Sequence, residues 1–317
     1  MKALITGVLG QDGAYLAKLL LTKGYEVHGL IRRYSTVPMA NIEYTGVKDR
    51  IELVEADMTD EASIRELIKE GQYQEVYNLA AQSFVSSSWA MPQYTFQTNA
   101  MGVLYLVKAI QEYSPDTKIY QASTSEMFGT SNTNGIQDER TPFNPRSPYA
   151  IAKLAAYHIT KNYKDKYGLF ICNGILFNHE SPIRGQQFVT QKIATGVANI
   201  TKGRQDKLLL GSLEPRRDWG FAGDYVDAMW RMLQQDKPDD YVVGTGENHS
   251  VEEFVKEAFA CAGIRNWQDY VGFDERFART NDVLDLKSNP LKAKEVLGWE
   301  SNTSFKELVA KMVTHAL

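Results

Sequence analysis

The chain has 317 residues, of which 43% are hydrophobic, and carries a formal net charge of -4 at pH 7. That suffices to bury one large α/β domain or two unequal lobes, and the absence of a basic tail or Lys/Arg block argues against nucleic acid as the main partner, because such binding rests on neutralising phosphates. No secretory signal, membrane-length apolar run, C-x-x-C or metal-type histidine spacing is visible, and Cys172 and Cys261 stand apart in apolar settings, so a cytoplasmic protein with neither disulfides nor a metal is expected.

Lys2 to Thr6 reads as a short buried strand, and Gly7-Val-Leu-Gly10-Gln11-Asp12-Gly13 then leads into a helix stopped by Gly24. Strand, glycine turn and helix form a phosphate cradle, since glycines let the backbone approach a pyrophosphate and the helix N-terminus supplies free N–H groups. The spacing is G-x-x-G-x-x-G. Glu26 to Ile31 is a second strand, followed by Arg32-Arg33 where an NAD-preferring site would place an acid for the ribose. Two guanidinium groups there suit a 2′-phosphate, so NADP is expected over NAD.

Ile51 to Asp57 is a third strand, with Asp57-Met58 placed to hold an adenine and Asp60 able to cap the helix from Glu61 to Glu70. Val76 to Ala81 is a fourth, ending in small residues over which a cofactor could ride. A helix from about Tyr94 to Glu112 precedes a fifth strand, Lys118 to Ala122, and Ser123, Thr124 and Glu126 fall just beyond it. After a Pro-rich loop, Ser147-Pro-Tyr149-Ala-Ile-Ala-Lys153 opens a helix that presents Tyr149 and Lys153 on one face. An ammonium beside a phenol favours the phenolate, which makes Tyr149 a candidate base.

Phe170 to Leu176 is a sixth strand, after which the alternation loosens into a smaller lobe. Phe188 opens a helix, Glu214 to Gly220 reads as a compact charged turn, Tyr241 to Val243 returns to the sheet, and Ser250-Val-Glu-Glu253 reads as a capping box. Arg184, Lys192, Arg217 and Arg279 are candidate clamps for a diphosphate. Alternating strands and helices specify a Rossmann-type, doubly wound parallel sheet with ligands at the strand C-termini. The smaller, discontinuous C-terminal lobe would hold the substrate. The expected division is residues 1–177 with 219–245 for the dinucleotide, and 178–218 with 246–317 for the substrate.

Taken together, GVLGQDGAYL from Gly7, NLAAQS from Asn78, QASTSEMFG from Gln121, PRSPYAIAK from Pro145, NGILFNHESP from Asn173 and RRDWG from Arg216 resemble the GDP-mannose 4,6-dehydratase family of the extended short-chain dehydrogenases/reductases. By that resemblance Thr124, Glu126, Tyr149 and Lys153 match the catalytic set. Cofactor contacts match Gly7, Gly10, Gln11, Asp12, Gly13, Arg32, Asp57, Met58, Leu79, Ala80, Ala81, Gln82, Ser83 and Tyr94, together with Tyr149, Lys153, His179 and Arg184. The sugar-nucleotide side matches Ser83, Asn178, Lys192, Arg217, Arg279 and Asp282. Asp282 stands where the family usually has Glu, and Arg33-Tyr-Ser-Thr departs from the family loop that reaches a neighbouring subunit's cofactor.

The resemblance implies a borrowed hydride. Tyr149 takes the C4 hydroxyl proton as NADP takes the C4 hydride, Glu126 removes the C5 proton and assists loss of the C6 hydroxyl as water, and the hydride returns at C6. Thr124 positions O4, while Lys153 holds the nicotinamide ribose and lowers the tyrosine pKa. GDP-mannose, a GDP-heptose, or a ketosugar reduced by NADPH remain alternative substrates, and a homo-oligomer, dimer or tetramer, is expected.

Overall fold

The structure, a computed structural model, describes residues 1–129, 135–277 and 285–317. Seven strands, β1 (Lys2–Thr6), β2 (Glu26–Ile31), β3 (Glu52–Glu55), β4 (Glu75–Asn78), β5 (Lys118–Thr124), β6 (Ile171–Leu176) and β7 (Tyr241–Val243), form one sheet in the order β3-β2-β1-β4-β5-β6-β7. Every neighbouring pair is parallel. A parallel sheet needs both faces covered, so its strands are apolar on both sides. Ile119 and Tyr120, adjacent in β5, accordingly bury into opposite clusters. Helices α1 (Gln11–Thr22) and, further along the chain, Ala222–Leu233 cover one face, where Leu16 and Leu20 meet Met229 and Met232. On the other face lie α2 (Glu61–Gly71), α3 (Gly102–Tyr113) and α4 (Pro148–Tyr167), through Ile64, Ile68, Val103, Leu106 and Ala156.

Strand order reverses between β1 and β4, so the chain leaves these two strands in opposite directions and opens a crevice at their C-terminal ends. The glycine turn after β1, the segment after β4 and the ends of β5 and β6 all reach this crevice. Several boundaries differ from the sequence reading, each for a local reason. Strand β4 stops at Asn78, because the amides of Leu79 and Ala80 turn to donate to Thr6 Oγ1, each at 3.0 Å. Strand β5 runs on through Thr124, paired with β6 up to Leu176, so Ser123 and Thr124 belong to the sheet. The helix expected from Tyr94 is interrupted by a π turn, Gln97–Met101, before α3.

The smaller lobe is built on α5 (Val189–Thr201), with α6 being the Ala222–Leu233 helix already described, α7 (Val251–Cys261) and α8 (Phe305–Ala316). Ile193, Val197, Trp219, Phe254, Phe259, Leu308 and Met312 form its core. The expected charged turn at Glu214–Gly220 is instead two short strands, Arg216–Arg217 and Trp219–Phe221. Asp218 between them is fully buried and accepts from Thr245 N at 2.8 Å, Thr245 Oγ1 at 2.7 Å and Gly246 N at 3.0 Å. These bonds supply the hydration it gave up.

At Ser250 only half of the capping box forms. Ser250 Oγ accepts from Glu253 N at 3.0 Å, but the Glu253 carboxylate turns to His249 Nδ1 at 2.8 Å and Arg216 Nη1 at 3.0 Å. A full box occurs at Ser304 and Glu307. Cys172 is buried as expected, whereas Cys261 is exposed. At the N-terminal edge of the sheet, far along β2 from the crevice, His28 Nε2 lies 3.0 Å from Glu26 and 3.3 Å from Glu52, a charged cluster that also draws Lys2 to within 3.8 Å of Glu26. Among the described residues no helix is long and apolar enough to cross a membrane.

Candidate active site

The start of α4 fixes the central pair. Ser147 caps the helix by accepting from Ala150 N at 3.1 Å, and Pro148 occupies the first turn, where its missing N–H costs nothing. Tyr149 and Lys153 then project one turn apart and are 8% and 4% exposed. A cavity of about 1310 Å³ opens beside them, and Thr124 and Glu126 also line it. Thr124 ends β5 and accepts from Glu126 N at 3.3 Å, and the Glu126 charge is felt at Tyr149.

Burial dominates the electrostatics of this pair. It pushes the Tyr149 phenol up to about 12, with the Glu126 carboxylate adding to the rise and the Thr124 hydroxyl and Arg184 pulling against it. It pulls Lys153 down to about 8. The expectation that Lys153 would depress the phenol is not met: the groups acting against the rise are Thr124 and Arg184. Lys153 Nζ donates to the Ala122 carbonyl at 2.9 Å.

Lining the same cavity, Asp12 Oδ2 meets His179 Nε2 at 2.7 Å, and the His179 ring stacks on Tyr225 with centroids 4.6 Å apart. Burial opposes both charges, yet their attraction prevails: Asp12 is held below the usual carboxylate range and His179 above the usual imidazole value. Arg184 Nε lies 2.9 Å from Glu180 Oε2, and its guanidinium covers the Phe188 ring at 3.6 Å.

A second cavity of about 610 Å³ adjoins the first, sharing Ser83 and Arg184 and lined by Gly10 and Gln11. Helix α1 starts here with no side-chain cap, so its first amides are open to an anion. A Cβ on Gly13 would sit 2.4 Å from Gly7 O, and one on Gly7, whose φ is +72°, would sit 3.0 Å from Ala80. Those two glycines allow close packing of the turn. Gly10 faces the cavity, and with Arg184 beside it the arrangement fits a dinucleotide's pyrophosphate.

Other expected residues divide by place. Leu79, Ala81, Ser83, Asn178, Lys192 and Arg217 line the larger cavity. Lys192 Nζ rests over the Phe277 ring at 2.9 Å, and Arg217 is buried with Nη1 donating to the Arg216 carbonyl at 2.9 Å. Arg32 and Tyr94 lie outside both cavities, joined Nη1 to OH at 3.2 Å. Asp57 accepts from Thr59 N and Oγ1, both at 2.8 Å, and Met58 is buried against Gly102. Ala80 and Gln82 hold the backbone beside the crevice. Arg279 and Asp282 lie outside the described residues.

Sequence reading missed Asn99. The π turn aims it at the segment after β4, where it accepts from Gln82 N at 2.8 Å and donates to Gln82 O at 3.0 Å. Trp89 was missed too: it lines the larger cavity and is 61% exposed.

Comparison with known proteins follows the same lines. A family model described as GDP-mannose 4,6 dehydratase matches residues 4–312. GDP-mannose 4,6 dehydratase 2 of Arabidopsis thaliana is 52% identical, over 99% of this chain and 86% of its own. The GDP-mannose 4,6-dehydratase of Yersinia enterocolitica is 44% identical, over 98% and 92%. Among solved structures, a Thermus thermophilus UDP-glucose 4-epimerase in complex with NAD superposes with a TM-score of 0.86 at 26% identity, covering 100% of this chain and 99% of that one. A Bacillus anthracis dTDP-glucose 4,6-dehydratase gives the same TM-score, 0.86, at 23% identity, covering 99% and 96%, and bears on the fold alone. Match length, identity and shared architecture converge, and the chain belongs to the GDP-mannose 4,6-dehydratase family.

Proposed function

We propose that this chain dehydrates GDP-mannose to a GDP-4-keto-6-deoxymannose on residues Thr124, Glu126, Tyr149 and Lys153, with NADP as a recycled cofactor. The observation that carries the reading is a carboxylate, Glu126, that lines the same cavity of about 1310 Å³ as a buried phenol, Tyr149, and whose charge reaches it. A simple reductase or epimerase needs the phenol and lysine but not the acid. Family membership supports the substrate class.

A nicotinamide bound here supplies a hydride acceptor at C4 of the sugar and a hydride donor at C6. Tyr149 moves the proton at O4, and Thr124 orients that oxygen through its hydroxyl. Once C4 is a carbonyl the C5 proton is acidic, and Glu126 removes it and passes it to the C6 hydroxyl, which leaves as water; after hydride return at C6, C5 takes up a proton and Tyr149 gives up the one it gained from O4. Lys153, fixed to the Ala122 carbonyl, is placed to hold the ribose. The open first turn of α1 and Arg184 receive the pyrophosphate, while Arg32, joined to Tyr94, suits the 2′-phosphate. Asn178, Lys192 and Arg217 take the sugar diphosphate. In this reading residues 1–177 with 219–245 hold the dinucleotide, and residues 178–218 with 246–317 hold the GDP-sugar. The enzyme works in the cytoplasm as a homo-oligomer.

The test is incubation with GDP-mannose and, separately, with a GDP-heptose, in the presence of NADP or NAD. Loss of one water from GDP-mannose, with no net NADPH consumed over many turnovers, is expected. Net NADPH loss would indicate a reductase. Glu126→Gln should keep dinucleotide and GDP-sugar binding and lose turnover by about 10²–10⁴-fold; unchanged turnover rejects its role.

A further inference from the structure

Gln11 and Asp12 open the helix that faces the dinucleotide cavity, yet their side chains are engaged by the protein itself. Gln11 Nε2 donates to the His179 carbonyl at 3.1 Å and to Asp12 Oδ1 at 3.0 Å, while Gln11 Oε1 accepts from Ser181 Oγ at 2.7 Å. Asp12 Oδ2 meets His179 Nε2 at 2.7 Å. The other ring nitrogen, Nδ1, is 2.7 Å from the Phe177 carbonyl oxygen. A peptide carbonyl and an ionised carboxylate can only accept hydrogen bonds. Both ring nitrogens must therefore donate, and only the imidazolium does that.

We infer that Gln11, Asp12, His179 and Ser181 form a charged brace, with His179 as the imidazolium, that holds the glycine turn against the segment leaving β6 and so sets the cavity's affinity for its dinucleotide. Gln11 and Asp12 are positioning residues in this account. The inference rests on the dinucleotide reading above for its functional half, but the protonation of His179 stands on its own contacts.

The surroundings of the ring define the pH dependence. Asp12 on α1 favours the imidazolium, and Arg184 opposes it. Glu180, next in sequence, is occupied by Arg184 at 2.9 Å and by Thr190 Oγ1 at 2.8 Å. Tyr225 on α6 stacks on the ring, and Tyr149 and Lys153, which line the same cavity, both sense the Asp12 charge. Attraction to Asp12 lifts His179 above its usual value, so the brace is intact at lower pH and opens as pH rises through the folded-state titration. Dinucleotide affinity falls over the same interval.

Two measurements test this with the intact chain. Imidazole NMR, with the His179 signal assigned by its loss in His179→Gln, should show a charged ring at neutral pH, and Asp12→Asn should move its titration downward. A neutral His179 at pH 7 overturns the inference. Calorimetric titration with NADPH should show Asp12→Asn binding about tenfold more weakly, the scale of one charge-assisted bond. Ser181→Ala, which removes one uncharged bond, should weaken binding less and leave the His179 titration in place. A charged His179 together with undiminished NADPH binding in both variants overturns the positioning role. Failure of the unaltered chain to bind either NADPH or NADH would instead reject the dinucleotide reading, and the NMR arm would still decide the protonation.

Discussion

Two buried pairs of ionisable groups face the same cavity and behave in opposite ways. At Asp12 and His179 attraction wins and both groups favour their charged forms; at Tyr149 and Lys153 burial wins, the phenol rising to about 12 and the ammonium falling to about 8. Depth alone does not separate them, since His179 is 9% exposed and Tyr149 8%, although the Asp12 side chain, at 23%, is more open than Lys153 at 4%. Contact does. His179 touches a carboxylate at 2.7 Å, whereas Lys153 donates to a neutral carbonyl and Tyr149 meets a neutral hydroxyl. A buried charge keeps its charge when an opposite one is in hydrogen-bond range, and otherwise tends toward the neutral form. Of the groups in the candidate catalytic set, Lys153 is thus brought nearer to exchanging its proton and Tyr149 is held as the neutral phenol, while Asp12 and His179 are held charged.

The sharpest way to probe the contrast is to remove the phenol. Tyr149→Phe should cost about 10³-fold in the first chemical step, within the range for general acid–base groups, measured as NADPH formed in a single turnover; a normal burst would remove Tyr149 from the mechanism. Asp12→Asn should make the Asp12–His179 pair behave like the other by leaving His179 without its counter-charge. The expected loss is about 3 kcal/mol of unfolding free energy near pH 6, the scale for a broken buried pair, measured by denaturant titration. A loss no larger than a surface substitution would erase the contrast.

Linkage gives the smaller effects, with opposite signs for His179 and Lys153. His179 has a raised folded pKa, so its stabilisation is complete below its unfolded value and disappears as pH climbs through the folded one. Lys153 has a folded pKa of about 8, below the ordinary lysine value of 10.5, so holding its charge in the interior costs stability below pH 8 and the cost fades as pH rises toward 10.5. Lys153→Met should therefore remove a gain of about 2 kcal/mol that the unaltered chain shows between neutral pH and about pH 10. Parallel stability curves for the two proteins would place Lys153 with the paired charges.

Much of this was legible along the chain. The strand and helix alternation fixes a parallel sheet, because apolar runs of strand length separated by amphipathic helices have few other ways to cover both faces. Helix spacing put Tyr149 and Lys153 on one face, and Ser147-Pro148 announced where that helix begins. Periodicity could not reveal that β4 would stop at Asn78, since the acceptor that ends it, Thr6 Oγ1, comes from a strand 72 residues earlier. Nor could it reveal that Glu253 would prefer His249 and Arg216 to its own cap.

What the sequence determined on its own was local: which segments are strands, where the glycine turn opens a helix, and which motifs sit at strand ends. Those follow from side-chain size, period and backbone freedom within a few residues. Only the tertiary structure decided which charges meet. The Asp12 to His179 contact spans 167 residues of chain, and whether a buried group is charged depends on the atoms within a few ångströms of it, which sequence distance does not record.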